Sequence, residues 1–338
     1  MNNQLSPSTN QTVTQIEQLK EVFASSGYTM EEAKIPGYQY SMAVWIYIAL
    51  NFTAILLSFF QPILGLILGI IFWLLFVKEI FYPMFGKFMA GQTNKYQLTI
   101  PARSKETQKL FIIHSLSTEK TLKPIPGMNQ LTYLITLLGL GMMIVLGLYL
   151  NHFFLPQSLY SLYAFIPLVA IGIFNRMSNQ SQQATYKFHT SEVLAEVISV
   201  LSKMRALTTS ITICLTDNPS PNTGLSSLLP MLKTAPELTY ILNIVDSAHN
   251  SSPDIAILKQ EGPFPQKGDL ILQDLIREVA SEKNVGIKAM TTTDFTEIFG
   301  LLLNKRKALT VLYPGPSNHL KQKELREILL GLIRKLDH

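Results

Sequence analysis

The chain is nearly without cysteine and short of charge, and each shortage excludes something different. Its one cysteine, Cys214, rules out an intramolecular disulfide, so nothing requires an oxidising compartment. That residue sits in the strand-like run ITICL, where a buried structural thiol is expected rather than a nucleophile. Asp, Glu, Lys and Arg make up 15% of the 338 residues, against about 25% in an ordinary soluble protein. Phosphate-binding loops and dinucleotide fingerprints are missing. Ser115, Ser117 and Ser247 lie in no Gly-x-Ser-x-Gly elbow. No basic run is interleaved with aromatics, which argues against a nucleic-acid partner despite the net charge of +5.

The charge deficit is concentrated in two blocks, 41–82 and 129–175. SMAVWIYIALNFTAILLSFF (41–60) and ILGLILGIIFWLLFVKEIFY (63–82) each meet the roughly 20 apolar residues that cross a bilayer. LTYLITLLGLGMMIVLGLYL (131–150) is a third such run and SLYSLYAFIPLVAIGIF (158–174) a shorter fourth. The expectation is therefore an integral membrane protein of the inner or plasma membrane. Its four transmembrane helices form two hairpins, with the lipid bilayer as a partner. The segment 78–128 carries Lys78, Lys87, Lys95, Arg103, Lys105, Lys109, Lys120 and Lys123, while the hairpin tips carry no Lys or Arg. By the positive-inside rule, both termini and the soluble domain are expected in the cytoplasm. The first run starts behind a polar tail without a basic leader region, so it is not read as a cleaved signal peptide.

The rest of the chain alternates strands and helices. Strands are expected at 96–102, 109–115, 210–217, 238–247, 254–262, 285–291 and 308–315, and helices at 190–207, 224–236, 269–284, 294–305 and 321–338. Such alternation predicts an α/β fold: a mostly parallel sheet with helices on both faces. In the N-terminal tail, Val13, Ile16, Leu19, Val22 and Phe23 recur at helical spacing, with Gly27 as a C-cap candidate. The expected organisation is a tail with a short amphipathic helix (1–40), a first hairpin (41–82) and the first strands of the α/β domain (83–128). A second hairpin (129–175) follows, and then the remainder of the domain (176–338).

Several stretches carry a family likeness. NKYQLTIPARSKETQKLFIIHSLST, TSEVLAEVISVLSKM, the run from ITICLTD to LNIVDS, and the last block from TTTDFTEIFG onward follow one another in a particular order. That order resembles the M28 family of zinc-dependent exopeptidases, over about 95–118 and 186–338. The resemblance implies a zinc-exopeptidase-like fold, with metal ligands at the ends of strands. His114 falls where the first ligand of that family stands, but Leu116 occupies the place of its Asp partner. Phe188 stands near the bridging Asp, Pro221-Asn222 replace the Glu-Glu pair, Val245 replaces a ligand Asp, and YPGPS replaces the late Tyr-His-Thr.

A co-catalytic zinc pair needs several oxygen or nitrogen ligands and a base to deprotonate bound water. The matched positions do not supply them, so no catalytic residue and no cofactor is expected. The resulting reading is a catalytically inactive, membrane-anchored M28-like protein that binds or assembles with a peptide or protein partner. The former groove would be lined by Tyr313, Pro314, Gly315, Pro316 and Ser317. The alternative is a membrane-bound zinc aminopeptidase with a site rebuilt from His114, His189, Asp217, Asp246 and His319, since ligands of open α/β sheets collect at the carboxyl ends of strands.

Overall fold

The structure is a computed structural model, and it describes residues 17, 19–36, 40–81, 92–115, 141, 189–204, 207–216, 238–246, 254–262, 265–292, 298, 301–302, 305–314 and 319–337. The chain forms two compact units. One comprises Met1–Ile35, Gln92–Lys120 and Ala184–His338; the other comprises Pro36–Gly91 and Thr121–Gln183.

The first unit is built on a nine-stranded sheet. Its strands are β1 (Glu31–Pro36), β2 (Gln92–Ile100), β3 (Gln108–Ser115), β4 (Thr209–Thr216), β5 (Thr239–Asp246), β6 (Ile255–Glu261), β7 (Gln266–Lys267), β8 (Ile287–Thr291) and β9 (Lys307–Tyr313). They lie in the order β1-β2-β4-β3-β5-β9-β6-β7, with β8 also paired to β6. The centre is parallel: β3 runs alongside both β4 and β5, and β5 alongside β9. Both flanks reverse, since β2 pairs antiparallel with β4 and β6 antiparallel with β9. The sheet is therefore mixed, which corrects the mostly parallel sheet expected from the sequence. β2 also differs from the central strands in its burial pattern. Tyr96, Leu98 and Ile100 are buried in alternation with Gln97 and Thr99, where the doubly covered central strands read as continuous apolar runs.

Two cores sit on the two faces. The larger gathers Leu110, Ile112, Ile213, Leu242 and Val311 from the strands with Val197, Ile198, Ile276, Leu329 and Ile333 from helices. Those helices are α3 (His189–Ser202), α4 (Leu270–Glu282) and α5 (His319–Leu336). On the opposite face Phe111, Ile113, Cys214, Ile241 and Ala308 pack with Ile298, Leu301 and Leu302. Asp269 caps α4 by accepting the Leu272 N–H at 2.9 Å.

In the N-terminal segment residues 19–25 are helical, and Gly27 turns the chain at φ 82°. Leu19 and Phe23 sit in the larger core. The helix expected at 224–236 lies outside the described residues, and that at 294–305 is described only in part.

The apolar runs of the second unit form α1 (Tyr40–Phe60) and α2 (Pro62–Phe81), joined at Gln61. The edge of the Tyr47 ring meets the Phe76 ring at 4.9 Å between centroids, and its hydroxyl donates to the Leu75 carbonyl at 3.0 Å. Near the joint, a Cβ on Gly65 would come within 2.6 Å of the Ser58 Cβ, so glycine permits the close approach. Among the described residues no helix is long and apolar enough to cross a membrane. This overturns the four transmembrane helices in two hairpins, and with them the integral-membrane placement. An apolar run predicts burial without saying in what, and here part of that burial is helix against helix. The runs at 131–150 and 158–174 lie outside the described residues, apart from Gly141.

Candidate functional site

The parallel centre of the sheet fixes where a site would lie. α5 follows β9 and returns along the sheet. At its far end the Asp337 carboxylate accepts the N–H groups of Thr208 and Thr209, where β4 begins. α3 ends beside the same edge: Arg103 donates from Nη2 to the carbonyl of Ser202 at 2.8 Å, while its own N–H bonds Leu207 O at 2.7 Å. Both helices therefore begin at the opposite edge, where β3, β4, β5 and β9 finish. Their positive dipole ends and the carboxyl ends of four parallel strands meet there.

His114 is the penultimate residue of β3 and only 2% exposed. Its register partners are Leu215 on β4 and Ile244 on β5. Nδ1 lies 3.0 Å from the Ile244 carbonyl oxygen. A carbonyl only accepts, so Nδ1 carries the proton and Nε2 carries the lone pair of the neutral ring. The sequence provides this arrangement because KLFIIHS alternates across a doubly buried strand. That alternation places His114 on the face of Leu110 and Ile112, among the larger core.

The other candidates are less fully placed. Asp246 ends β5, opposite Tyr313 at the end of β9. Two positions beyond Ile244, it shares the register face of His114, whereas Val245 takes the other face. Tyr313 is fully buried. His189 and His319 open α3 and α5 at this same edge. The side chains of Asp246, His189 and His319 are outside the described residues, as are Asp217, Gly315, Pro316 and Ser317 entirely. Pro314 follows β9 and is partly buried.

The M28 likeness implies a zinc pair, and the donor set was set against it. Zinc takes about four N, O or S ligands per ion. The described side chains next to His114 in register are those of Leu215 and Ile244, which offer none. Among the described residues no group of three His, Cys, Asp or Glu is placed to hold a metal ion. The described donors alone do not make up the pair, and no chemical step is derived through it.

Cys214 was expected to be structural. It lies in the smaller core, and burial pushes its thiol up to about 11, against a smaller downward pull from Lys95. Sequence reasoning did not single out Asn243 and Thr310, which are fully buried on that same face. Asn243 donates from Nδ2 to Thr310 Oγ1 at 3.5 Å across the β5–β9 ladder. The one sequence signal was a polar residue interrupting each apolar run.

No family profile matches the chain, and no curated protein sequence does. Among solved structures, its neighbours are zinc aminopeptidases and glutaminyl cyclases. One is the zinc aminopeptidase BSAP from Bacillus subtilis, at 7% identity and a TM-score of 0.42, covering 73% of this chain and 50% of that one. The chain thus spans half the length of that enzyme. Another is the glutaminyl cyclase of Fimbriiglobus ruber, at 10% identity and 0.48, with 95% and 86% covered. The LapA aminopeptidase of Legionella pneumophila matches at 5% and 0.44, over 98% and 65%. At such identities and scores the likeness bears on no residue's role.

Proposed function

We propose that the α/β unit is a binding module, holding a peptide or a segment of a protein partner at the carboxyl ends of β3, β4, β5 and β9, without hydrolysing it. The observation that carries this reading is the position of His114. It is the one histidine at a matched ligand position, and it is sunk into the core with Nδ1 committed to the Ile244 carbonyl. That bond leaves Nε2 outside it, and what speaks against a ligand role is that the register neighbours Leu215 and Ile244 bring no second ligand. The sequence supports the reading, because Leu116 and Val245 stand where carboxylate ligands would be needed. An edge that keeps its strand ends and two helix N-termini still offers backbone donors to an extended chain or a carboxylate.

The test uses the full chain. A random peptide library is selected against it, and enriched peptides are re-tested on a Leu320→Arg variant, which changes an exposed residue in the first turn of α5 at that edge. Enrichment that the substitution abolishes supports the reading. Purified protein should also contain no stoichiometric zinc and should release no product from N-terminal aminoacyl substrates after zinc loading. Saturable turnover that disappears in His114→Ala would establish the zinc-aminopeptidase alternative instead.

A further inference from the structure

The hairpin of the second unit leaves one side of α2 uncovered. Ile63, Leu64, Leu66, Ile67, Ile70, Ile71 and Leu74 are 37% to 71% exposed. At 3.6 residues per turn these positions fall within an arc of about 160°. Gly65, Gly69 and Phe76 lie on the opposite side and are buried, Gly65 against Ser58 of α1. The chain beyond the hairpin also meets α2 elsewhere: a Cβ on Gly141 would come within 2.7 Å of Trp73 Nε1. Scattered exposed apolar residues are ordinary, but seven along one side of one helix mark a surface that something covers.

Spacing, area and charge point to a second copy of this chain. Ile63, Ile67, Ile70 and Leu74 step by four, three and four residues, the repeat by which an apolar seam packs against another helix. The seven exposed side chains leave roughly 600 Å² of apolar surface per copy, so two copies could bury about 1,200 Å², the lower bound of a stable interface. Residues 40–77 hold no Asp, Glu, Lys or Arg. Partners of different sequence are commonly selected by complementary charge, and this face has none to offer. A two-fold axis instead sets a face against itself, where a charge near the axis would meet its like. An uncharged apolar face meets that condition.

We infer that α2 pairs with α2 of a second copy along Ile63, Ile67, Ile70 and Leu74, forming a two-fold dimer. The same seam serves both chains, so the assembly closes at two. The inference concerns the second unit and is independent of the binding reading for the α/β unit.

The test uses the full chain in detergent-free buffer. Sedimentation equilibrium should give twice the chain mass, with no larger species as concentration rises. Ile67→Glu with Leu74→Glu, both at exposed positions, should return it to the mass of one chain with unchanged circular dichroism. Cross-linking makes the test independent of how that double variant folds. On mild oxidation Ile67→Cys should form a covalent dimer, whereas Lys203→Cys, at an exposed position just past α3, should not. Cys214 is buried and takes no part. A chain that is monomeric at every concentration overturns the inference, as does a dimer that survives the paired glutamates and leaves Ile67→Cys uncross-linked. Association that continues beyond two chains, or a chain held in solution only by lipid or detergent, overturns it as well.

Discussion

At the scale of single residues, the chain separates reactivity from residue type. His114 and Cys214 are the side chains a reader would first suspect of chemistry, and the fold gives both to its cores. For Cys214 the consequence is measurable. The thiolate is the reactive form, and burial holds the thiol near 11 in the folded state. In native protein at pH 8 a disulfide exchange reagent should therefore label Cys214 far more slowly than a free thiol, and adding urea should restore one thiol per chain. Rapid stoichiometric labelling of folded protein would show the thiol to be accessible. The inert cysteine was legible from its apolar neighbours in ITICL. The hydrogen bond that occupies His114 was not, because it depends on which strand lies beside β3. That neighbour, β5, is more than a hundred residues away in sequence.

At the scale of elements, apolar runs disclosed most strands, and what they left out follows from what they encode. A run reports burial and carries no direction, so the central strands were readable while the reversals at β2–β4 and β6–β9 were not. β6 and β9 share only two register pairs, Ala256↔Leu312 and Ile257↔Val311. So short a contact leaves no periodic trace. β1 was missed because EEAKIP has little apolar content, and an edge strand needs little.

Helix packing gives a sharper test. Gly331 lies within α5, where alanine would ordinarily gain about 1 kcal/mol in helix propensity. A Cβ there would run into Val279 on α4, with further contacts at 3.2 and 3.3 Å on the same side chain. Val279 is fully buried and branched at Cβ, so it has few rotamers with which to yield. Overpacking costs about 1–3 kcal/mol, and it should outweigh the propensity gain. Gly331→Ala should lower the urea midpoint, and adding Val279→Ala should recover part of the loss. If Gly331→Ala alone is stabilising, the two helices are not held at this distance.

At the scale of the whole α/β unit, α5 acts as a strut tied on several sides by ion pairs. Arg326 meets Glu196 of α3 at 2.9 Å, and Lys335 meets Glu278 and Glu282 of α4 at 2.8 and 2.7 Å. Lys321 reaches Asp254 at 3.6 Å, and Asp254 also holds Lys288 of β8 at 2.9 Å. Exposed pairs are individually weak, yet their titration gives the unit a pH profile with two separable limbs. The hydrogen bond from Lys288, opposed by some desolvation and helped by the charges of Lys288 and Lys321, lowers the Asp254 pKa. Its contribution is present above the unfolded carboxylate value and is lost as pH falls through the lower folded one. Hydrogen bonds to Glu278 and then Glu282 raise the Lys335 pKa. Its contribution is complete below the ordinary lysine range and is lost as pH rises through the elevated folded value. Stability should therefore be level between these ranges and fall on both sides. Asp254→Asn should flatten part of the acid limb and leave the alkaline limb unchanged, while Lys335→Met should do the reverse. Both effects should shrink in molar salt, where the screening length is about 3 Å. Urea midpoints measured from acid to alkaline pH, at low and high salt, decide it. An acid limb unchanged by Asp254→Asn would mean that the Asp254 pairs with Lys288 and Lys321 do not contribute to the acid sensitivity of the unit.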